Sequence, residues 1–226
     1  MICYPYKGLM KRVIINIAVL ILLSSCAAAP VEKRAEPPEK ALPVSEQESR
    51  ALESFTDILE ISGSSRDRQA VLPEMEKIYM EIIDYYPDAA LAQESYLKLV
   101  EIYLREYSPP SYAKAEGLYK QFRGKYPGSV LRGFIEETIA KSYYLNAEWG
   151  RLLNLTAPIF KQYISNSLQR RPALIYMYSE ANFNLGRLKD AEDGYRLMMK
   201  LFPGMSGNVN ARARLEEIRK KLGKDK

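Results

Sequence analysis

Histidine is absent from this 226-residue chain, and cysteine is nearly so. The only two cysteines, Cys3 and Cys26, lie close to the N-terminus. Without histidine the chain lacks the commonest general base and the commonest nitrogen ligand of metals. Beyond Cys26 there is also no thiol for a disulfide, a zinc site or a nucleophile. We therefore expect a protein with no catalytic residues, no metal and no cofactor.

The chain also lacks a Gly-rich phosphate loop and a concentrated basic stripe. Its net charge is only +5, and the one basic cluster, residues 212–226, is interrupted by Glu216 and Glu217. We interpret this cluster as the solvated face of a closing helix. Neither nucleic acid nor a small-molecule substrate is expected as a partner. Carboxylate pairs such as Glu136–Glu137 are adjacent on a helix, point away from each other and are expected to be surface charges.

The segment before Cys26 has the pattern of an export signal. Met10-Lys11-Arg12 precedes an apolar run from Val13 to Leu23, which is too short to span a bilayer comfortably. Met10 is a candidate for the true start in place of Met1. The run ends in Leu23-Ser24-Ser25-Cys26, which resembles a bacterial lipobox.

The lipobox resemblance implies cleavage before Cys26 and acylation of Cys26. Because Ala27 and not aspartate follows, it also implies the outer membrane, with the protein facing the periplasm. The alternative is an ordinary signal peptide or membrane anchor with an incidental cysteine. We predict a signal peptide over residues 1–25 and a lipidated, Pro-rich tether over residues 26–45, which cannot bury a core. The folded domain is predicted over residues 46–226.

One apolar pattern recurs four times in the predicted domain, at nearly constant steps along the chain. Its members stand at relative positions 0, 4, 7 and 11, which puts them on one face of a helix, and a proline follows in three of the copies. Ala115 and Ala191 are expected where paired helices approach closely. The copies are Met75, Tyr79, Ile82, Tyr86; Ala115, Tyr119, Phe122, Tyr126; Leu153, Ala157, Phe160, Ile164; and Ala191, Tyr195, Met198, Phe202.

Each copy is preceded by another helical segment, so the sequence predicts four hairpins and a closing helix. The first helices are expected over residues 46–61, 91–107, 131–145 and 173–185, and the closing helix over residues 210–222. The unit from Pro172 to Pro203 resembles a tetratricopeptide repeat. The resemblance implies an all-α solenoid of about four hairpins with a C-terminal capping helix. It rests on Ala181, Phe183, Gly186, Ala191, Tyr195 and Pro203, which match the small, aromatic, glycine and proline positions of that family.

Two polar triplets lie on the first helices of the third and fourth hairpins, separated by the same step as the apolar copies of those hairpins. In tetratricopeptide arrays the first helices line the concave face, so these side chains are candidates for a partner-binding strip. A plain solvated face is the alternative. The triplets are Thr138, Ser142, Asn146 and Tyr176, Glu180, Asn184.

Together the predicted anchor and the predicted repeats resemble barrel-assembly lipoproteins of the BamD type. That resemblance implies a scaffold that binds protein partners in the cell envelope and reaches the membrane through its N-terminal lipid. Repeat proteins of the Tol-Pal and cell-division machinery or of pilus assembly share these features. A lipid-anchored enzyme that uses carboxylates is a further alternative, and it would need two acids facing each other in a cleft.

Overall fold

The computed structural model describes residues 42–165 and 171–224. Within these ranges the chain forms nine α-helices and no strand, so the prediction of an all-α fold is confirmed. None of the described helices is long and apolar enough to cross a membrane. The predicted signal peptide, Cys26 and most of the predicted tether lie outside the described residues. The helices, numbered α1 to α9 in chain order, are Val44–Ser64, Arg68–Tyr85, Ala90–Arg105, Tyr112–Lys125, Leu131–Leu145, Trp149–Ser165, Pro172–Asn184, Leu188–Leu201 and Asn208–Lys224.

Three even-numbered helices end at an aromatic residue that precedes a proline. Helices α2, α4 and α8 stop before Tyr86, Tyr126 and Phe202, whose φ angles are −124°, −127° and −133°. The ring of a following proline disfavours helical angles for the residue before it. The predicted stop signal is therefore confirmed in these three helices.

The turns inside the third and fourth hairpins have the same geometry. Ala147 and Gly186 both have positive φ, 56° and 75°. Glycine adopts this conformation without strain, whereas Ala147 adopts it at a cost. The same backbone hydrogen bonds close both turns, so Ala147 corresponds to Gly186. These bonds are Ala147 N to Tyr144 O and Gly186 N to Phe183 O, then Glu148 N to Tyr143 O and Arg187 N to Asn182 O.

The third copy of the apolar pattern lies one residue earlier than predicted. Helix α6 buries a set that begins at Leu152, whereas Ile164 is 63% exposed. With this correction Ile164 stands where the other copies have proline, and Leu152 corresponds to Ala191 just as Ala147 corresponds to Gly186. The aromatic residue that the pattern requires before the proline position is present as Tyr163. The buried set with the repeat spacing is Leu152, Thr156, Ile159 and Tyr163.

Contacts between the helices follow their order along the chain. Each helix packs against the next one, and α1, α3, α5 and α7 also pack against one another in sequence. The backbones of the described even-numbered helices do not approach one another in such a row, although side chains join α2 to α4 and α4 to α6. One apolar core runs through all the hairpins, and Ala115 and Ala191 are fully buried in it, as predicted.

Candidate functional site

The structure separates the predicted polar strip into buried and exposed parts. Glu180 is 2% exposed and Ser142 is 7% exposed, whereas Tyr176 and Thr138 are half-buried. The alternative of a plain solvated face is therefore wrong. Asn184 and Asn146 are exposed and donate to Glu180 O and Ser142 O of their own helices, both at 2.8 Å.

The two triplets are also not equivalent. A constant repeat step along the sequence pairs Ser142 with Glu180. Because Ala147 and Gly186 occupy the same place in their turns, the structure matches Ser142 with Ala181 instead. The two triplets are therefore out of register by one position, and they do not form one repeated strip.

Glu180 joins three helices in the interior. The Tyr195 hydroxyl of α8 donates to Glu180 Oε1 at 2.5 Å, and Arg214 of α9 donates to the same carboxylate at 3.1 and 3.2 Å. The Arg214 guanidinium also lies 4.3 Å from the centre of the Phe183 ring. Burial, followed by the hydrogen bond to Glu180, raises the pKa of Tyr195. Glu180 is therefore a structural residue, and its replacement should cost stability.

Glu136 is a second buried acid, and the expectation that it is a surface charge is wrong. It is 5% exposed. The Tyr119 hydroxyl of α4 donates to its Oε1 atom, and Arg132 Nε donates to the same atom at 2.8 Å. Burial, then the hydrogen bond to Glu136, raises the pKa of Tyr119. A buried carboxylate is tolerated when donors satisfy it, so Glu136 links the second hairpin to the third.

A tyrosine, a glutamate and a cation also meet between successive hairpins. Glu76 of α2 accepts from Tyr107 at 3.2 Å and from Lys114 at 2.7 Å. Glu116 of α4 accepts from Tyr143 and, at 2.5 Å, from Arg151. Each glutamate directly follows the first residue of a copy of the apolar pattern. This recurrence is present in the sequence, but it goes unnoticed when the carboxylates are assumed to be surface groups.

Burial and hydrogen bonding act in opposite directions on the Glu76 carboxylate. Burial alone would raise its pKa, but hydrogen bonds from Lys114, Tyr103 and Tyr107 outweigh it and hold the pKa below the ordinary 4.5. Glu76 therefore favours the fold above the ordinary carboxylate pKa, and this contribution is lost as the pH falls through the lowered value.

An aromatic surface lies beside the predicted strip and includes Tyr176. Tyr144 and Tyr176 lie 6.3 Å apart, and Trp149 packs edge-on against Tyr144 at 5.8 Å. Burial, followed by the charge of Glu180, raises the pKa of Tyr176. A pocket of about 330 Å³ opens beside the two tyrosines, between α5, α7 and α9. Its lining is Tyr144, Tyr176, Asn210, Ala213, Arg214 and Glu217.

The lining of this pocket is suited to recognition of a partner. Its walls combine two half-buried tyrosines with the amide of Asn210 and the Arg214–Glu217 ion pair, whose atoms are 3.2 Å apart. Tyrosine and arginine are the residue types that most often anchor protein partners. No group of acids that could hold a metal ion occurs among the described residues.

Two further pockets lie between other helices. One of about 360 Å³ is bounded by Arg132, Gln162, Tyr163 and Arg171. The Arg171 guanidinium pairs there with Glu137 at 3.0 Å. The other, of about 760 Å³, is a groove between α8 and α9.

Comparisons with protein-family models, with curated proteins and with solved structures found no match to this chain.

Proposed function

We propose that this chain is a tetratricopeptide-like scaffold, anchored by lipid at Cys26 to the outer membrane and facing the periplasm. In this proposal it binds a protein partner of the cell envelope and catalyses no reaction. The observation that carries the binding function is the pocket bounded by Tyr144 and Tyr176. The repeat pattern and the lipobox resemblance support the architecture and the location.

The matched turns of the third and fourth hairpins support a repeat array. A solenoid requires each unit to pack in the same way against its neighbours. The row of contacts α1–α3–α5–α7 has that character. In the tetratricopeptide arrangement the odd-numbered helices line the concave surface, and the tyrosine pocket opens between α5, α7 and α9.

The pocket suits a peptide segment with an apolar or aromatic side chain. Tyrosine rings provide apolar contact area at little cost in conformational entropy. Arg214 and Glu217 at the rim favour a partner with polar groups beside its anchor residue. Ala213 is exposed on this rim, so a larger residue there would obstruct the pocket without entering the core.

Substitution of Ala213 by arginine tests the binding function. Partners would be captured in intact cells by crosslinking the full chain, with Ala70→Arg as the matched control on the exposed side of α2. Ala213→Arg should abolish a crosslinked species that wild type and Ala70→Arg retain, with all three melting alike. If all three crosslink alike, the pocket is not the binding surface.

Mass spectrometry of the mature N-terminal peptide tests the anchor. An acylated Cys26 is expected at the first position. An unmodified peptide that begins upstream of Cys26 would contradict the proposed anchor and leave the repeat fold unaffected.

A further inference from the structure

We propose that copies of this chain associate head to tail, with α1 of one copy occupying the groove between α8 and α9 of the next. This interaction is separate from the proposed partner pocket, because the groove and the pocket are lined by different residues of α9. It rests on two surfaces that match in apolar spacing and in charge.

The α8–α9 groove combines an apolar floor with basic walls. Leu215 and Leu222 of α9 are half-buried along it. Lys189, Arg212 and Arg219 line it, are exposed and form no ion pair within the part of the chain that the structure describes. The lining also holds Glu216 and the Arg196–Glu192 ion pair, so bases outnumber acids by four to two. In sequence, α9 carries six basic residues and two acidic ones.

Helix α1 presents the complementary surface. Leu52 and Leu59 are 59% and 58% exposed and lie on one face of the helix. Glu53, Asp57 and Glu60 beside them are exposed and unpaired among the described residues. The whole helix carries five acidic residues and one arginine.

The two surfaces agree in spacing as well as in charge. Leu52 and Leu59 lie about two helical turns apart, and so do Leu215 and Leu222. Two turns correspond to roughly 10 Å along the axis of either helix. Two helices can therefore bring both leucine pairs into contact while acids of α1 face bases of α8 and α9.

The occupant comes from a second copy. Within one chain α1 begins the row of odd-numbered helices and packs against α2 and α3, whereas α9 packs against α8 after the end of that row. A head-to-tail contact uses a different surface on each copy, so it is a heterologous interface that can add further copies.

Reversal of the charges separates this association from other kinds of self-association. The full 226-residue chain, kept in solution by a mild detergent, would be studied by sedimentation over a wide range of concentration. One variant carries Glu53→Lys and Asp57→Lys, a second carries Arg212→Glu and Arg219→Glu, and a third carries all four changes. The control carries Lys77→Glu and Lys120→Glu on exposed faces of α2 and α4.

Wild type and control should form concentration-dependent oligomers that dissociate as salt is added. Either two-site variant should self-associate at least tenfold more weakly than wild type. The four-site variant should regain self-association because its charges are complementary again. All variants should keep the wild-type melting curve. A wild type that stays monomeric would overturn the proposal. Equal association of all five proteins would also overturn it and would assign the contact to the apolar segment near the N-terminus.

Discussion

The third and fourth hairpins have turns of the same geometry, but their helices pack differently. Their turn hydrogen bonds coincide when Ala147 is matched with Gly186, yet α7 and α8 approach each other more closely than α5 and α6 do. At matching positions the third hairpin has Leu152 and Leu155, whereas the fourth has Ala191 and Gly194. The turn therefore sets which helices pair, and the size of the facing side chains sets how near they come.

The closer hairpin also buries a charge. Glu180 and Tyr195 occupy the positions that Lys141 and Thr156 hold in the third hairpin. Lys141 is exposed, and the Thr156 hydroxyl donates to Leu152 O of its own helix at 2.7 Å. A buried carboxylate is tolerated only with donors around it. At this position the fourth hairpin depends on partners from α8 and α9. The buried acid of the third hairpin, Glu136, stands at another position and depends on Tyr119 and Arg132 instead.

Among the changes that test this comparison, Arg214→Met should cause the largest loss of stability. It would leave the Glu180 carboxylate, 2% exposed, with Tyr195 but without a positive charge. Removing one partner of a buried pair costs about 3 to 5 kcal/mol. The lower end of that range is expected, because the Arg214 side chain is itself 35% exposed. Denaturant unfolding of wild type and variant measures the loss.

Arg151→Met is the matched control for the loss of the arginine charge. Arg151 pairs with Glu116, but their side chains are 48% and 44% exposed. Exposed ion pairs contribute at most about 1 kcal/mol, so this variant should lose far less stability than Arg214→Met. Equal losses would show that burial of Glu180 does not distinguish the fourth hairpin from the third.

Gly194→Ala should cause the next largest loss of stability. A Cβ atom at this position would collide with the Ser179 hydroxyl, and it would lie 3.2 Å from a Tyr178 ring carbon. Overpacking of this kind costs about 1 to 3 kcal/mol, which outweighs the gain in helix propensity. Thermal unfolding should show a clearly lower melting temperature.

Gly117→Ala on α4 is the control for Gly194→Ala. A Cβ atom at Gly117 would meet nothing within 4 Å. Alanine is favoured over glycine inside a helix by about 0.5 to 1 kcal/mol, so this variant should be more stable than wild type. If both variants gain stability, close approach of α7 and α8 is not a property of the fourth hairpin.

Much of the fold could be predicted from the sequence because its signals are local. Apolar spacing and the Tyr-Pro, Phe-Pro and Gly186 signals give the nine described helices in order, with most of their ends within a few residues of those observed. The register of α6 was missed because Leu152 and Leu153 are both apolar, as are Ile159 and Phe160. Only packing against a neighbouring helix decides which member of each pair occupies the repeat position.

The buried acids could not be predicted from local pattern. Glu136 and Glu180 look like surface residues on an isolated helix, and their burial depends on Tyr119 and Tyr195 from other helices. Such pairings join residues on different helices, beyond the reach of helical periodicity. For the same reason helical spacing alone groups the buried Glu180 with the half-buried Tyr176 in one candidate strip.

Alkaline pH should weaken the fourth hairpin through Tyr195. The ordinary tyrosine pKa is 10, and burial followed by the Glu180 hydrogen bond raises it for Tyr195. Above pH 10 the unfolded chain releases this proton while the folded chain retains it. Stability therefore falls as the pH rises, by up to about 1.4 kcal/mol per pH unit from this group, until the raised pKa is reached.

Tyr195→Phe should make the alkaline decline of unfolding free energy shallower by that amount. Thr156→Val changes the matching position of the third hairpin, where no ionisable group stands, and should keep the wild-type slope. Denaturant unfolding between about pH 9 and pH 11 provides the comparison. Parallel slopes for all three proteins would exclude Tyr195 as a source of the alkaline effect.

Ser142→Ala should have the smallest effect and should not destabilise the protein. The Ser142 hydroxyl is buried without a hydrogen-bond partner among the described residues, and the matching position of the fourth hairpin is Ala181, fully buried. Removing an unsatisfied buried hydroxyl should therefore leave stability unchanged or raise it by up to about 1 kcal/mol.

Ser95→Ala is the control, because the buried Ser95 hydroxyl donates to Leu91 O at 2.7 Å. That variant should lose about 0.5 to 1.5 kcal/mol, the net value of a hydrogen bond. A loss at Ser142 as large as that at Ser95 would show that the Ser142 hydroxyl is satisfied in solution and that the two hairpins differ there by a functional contact.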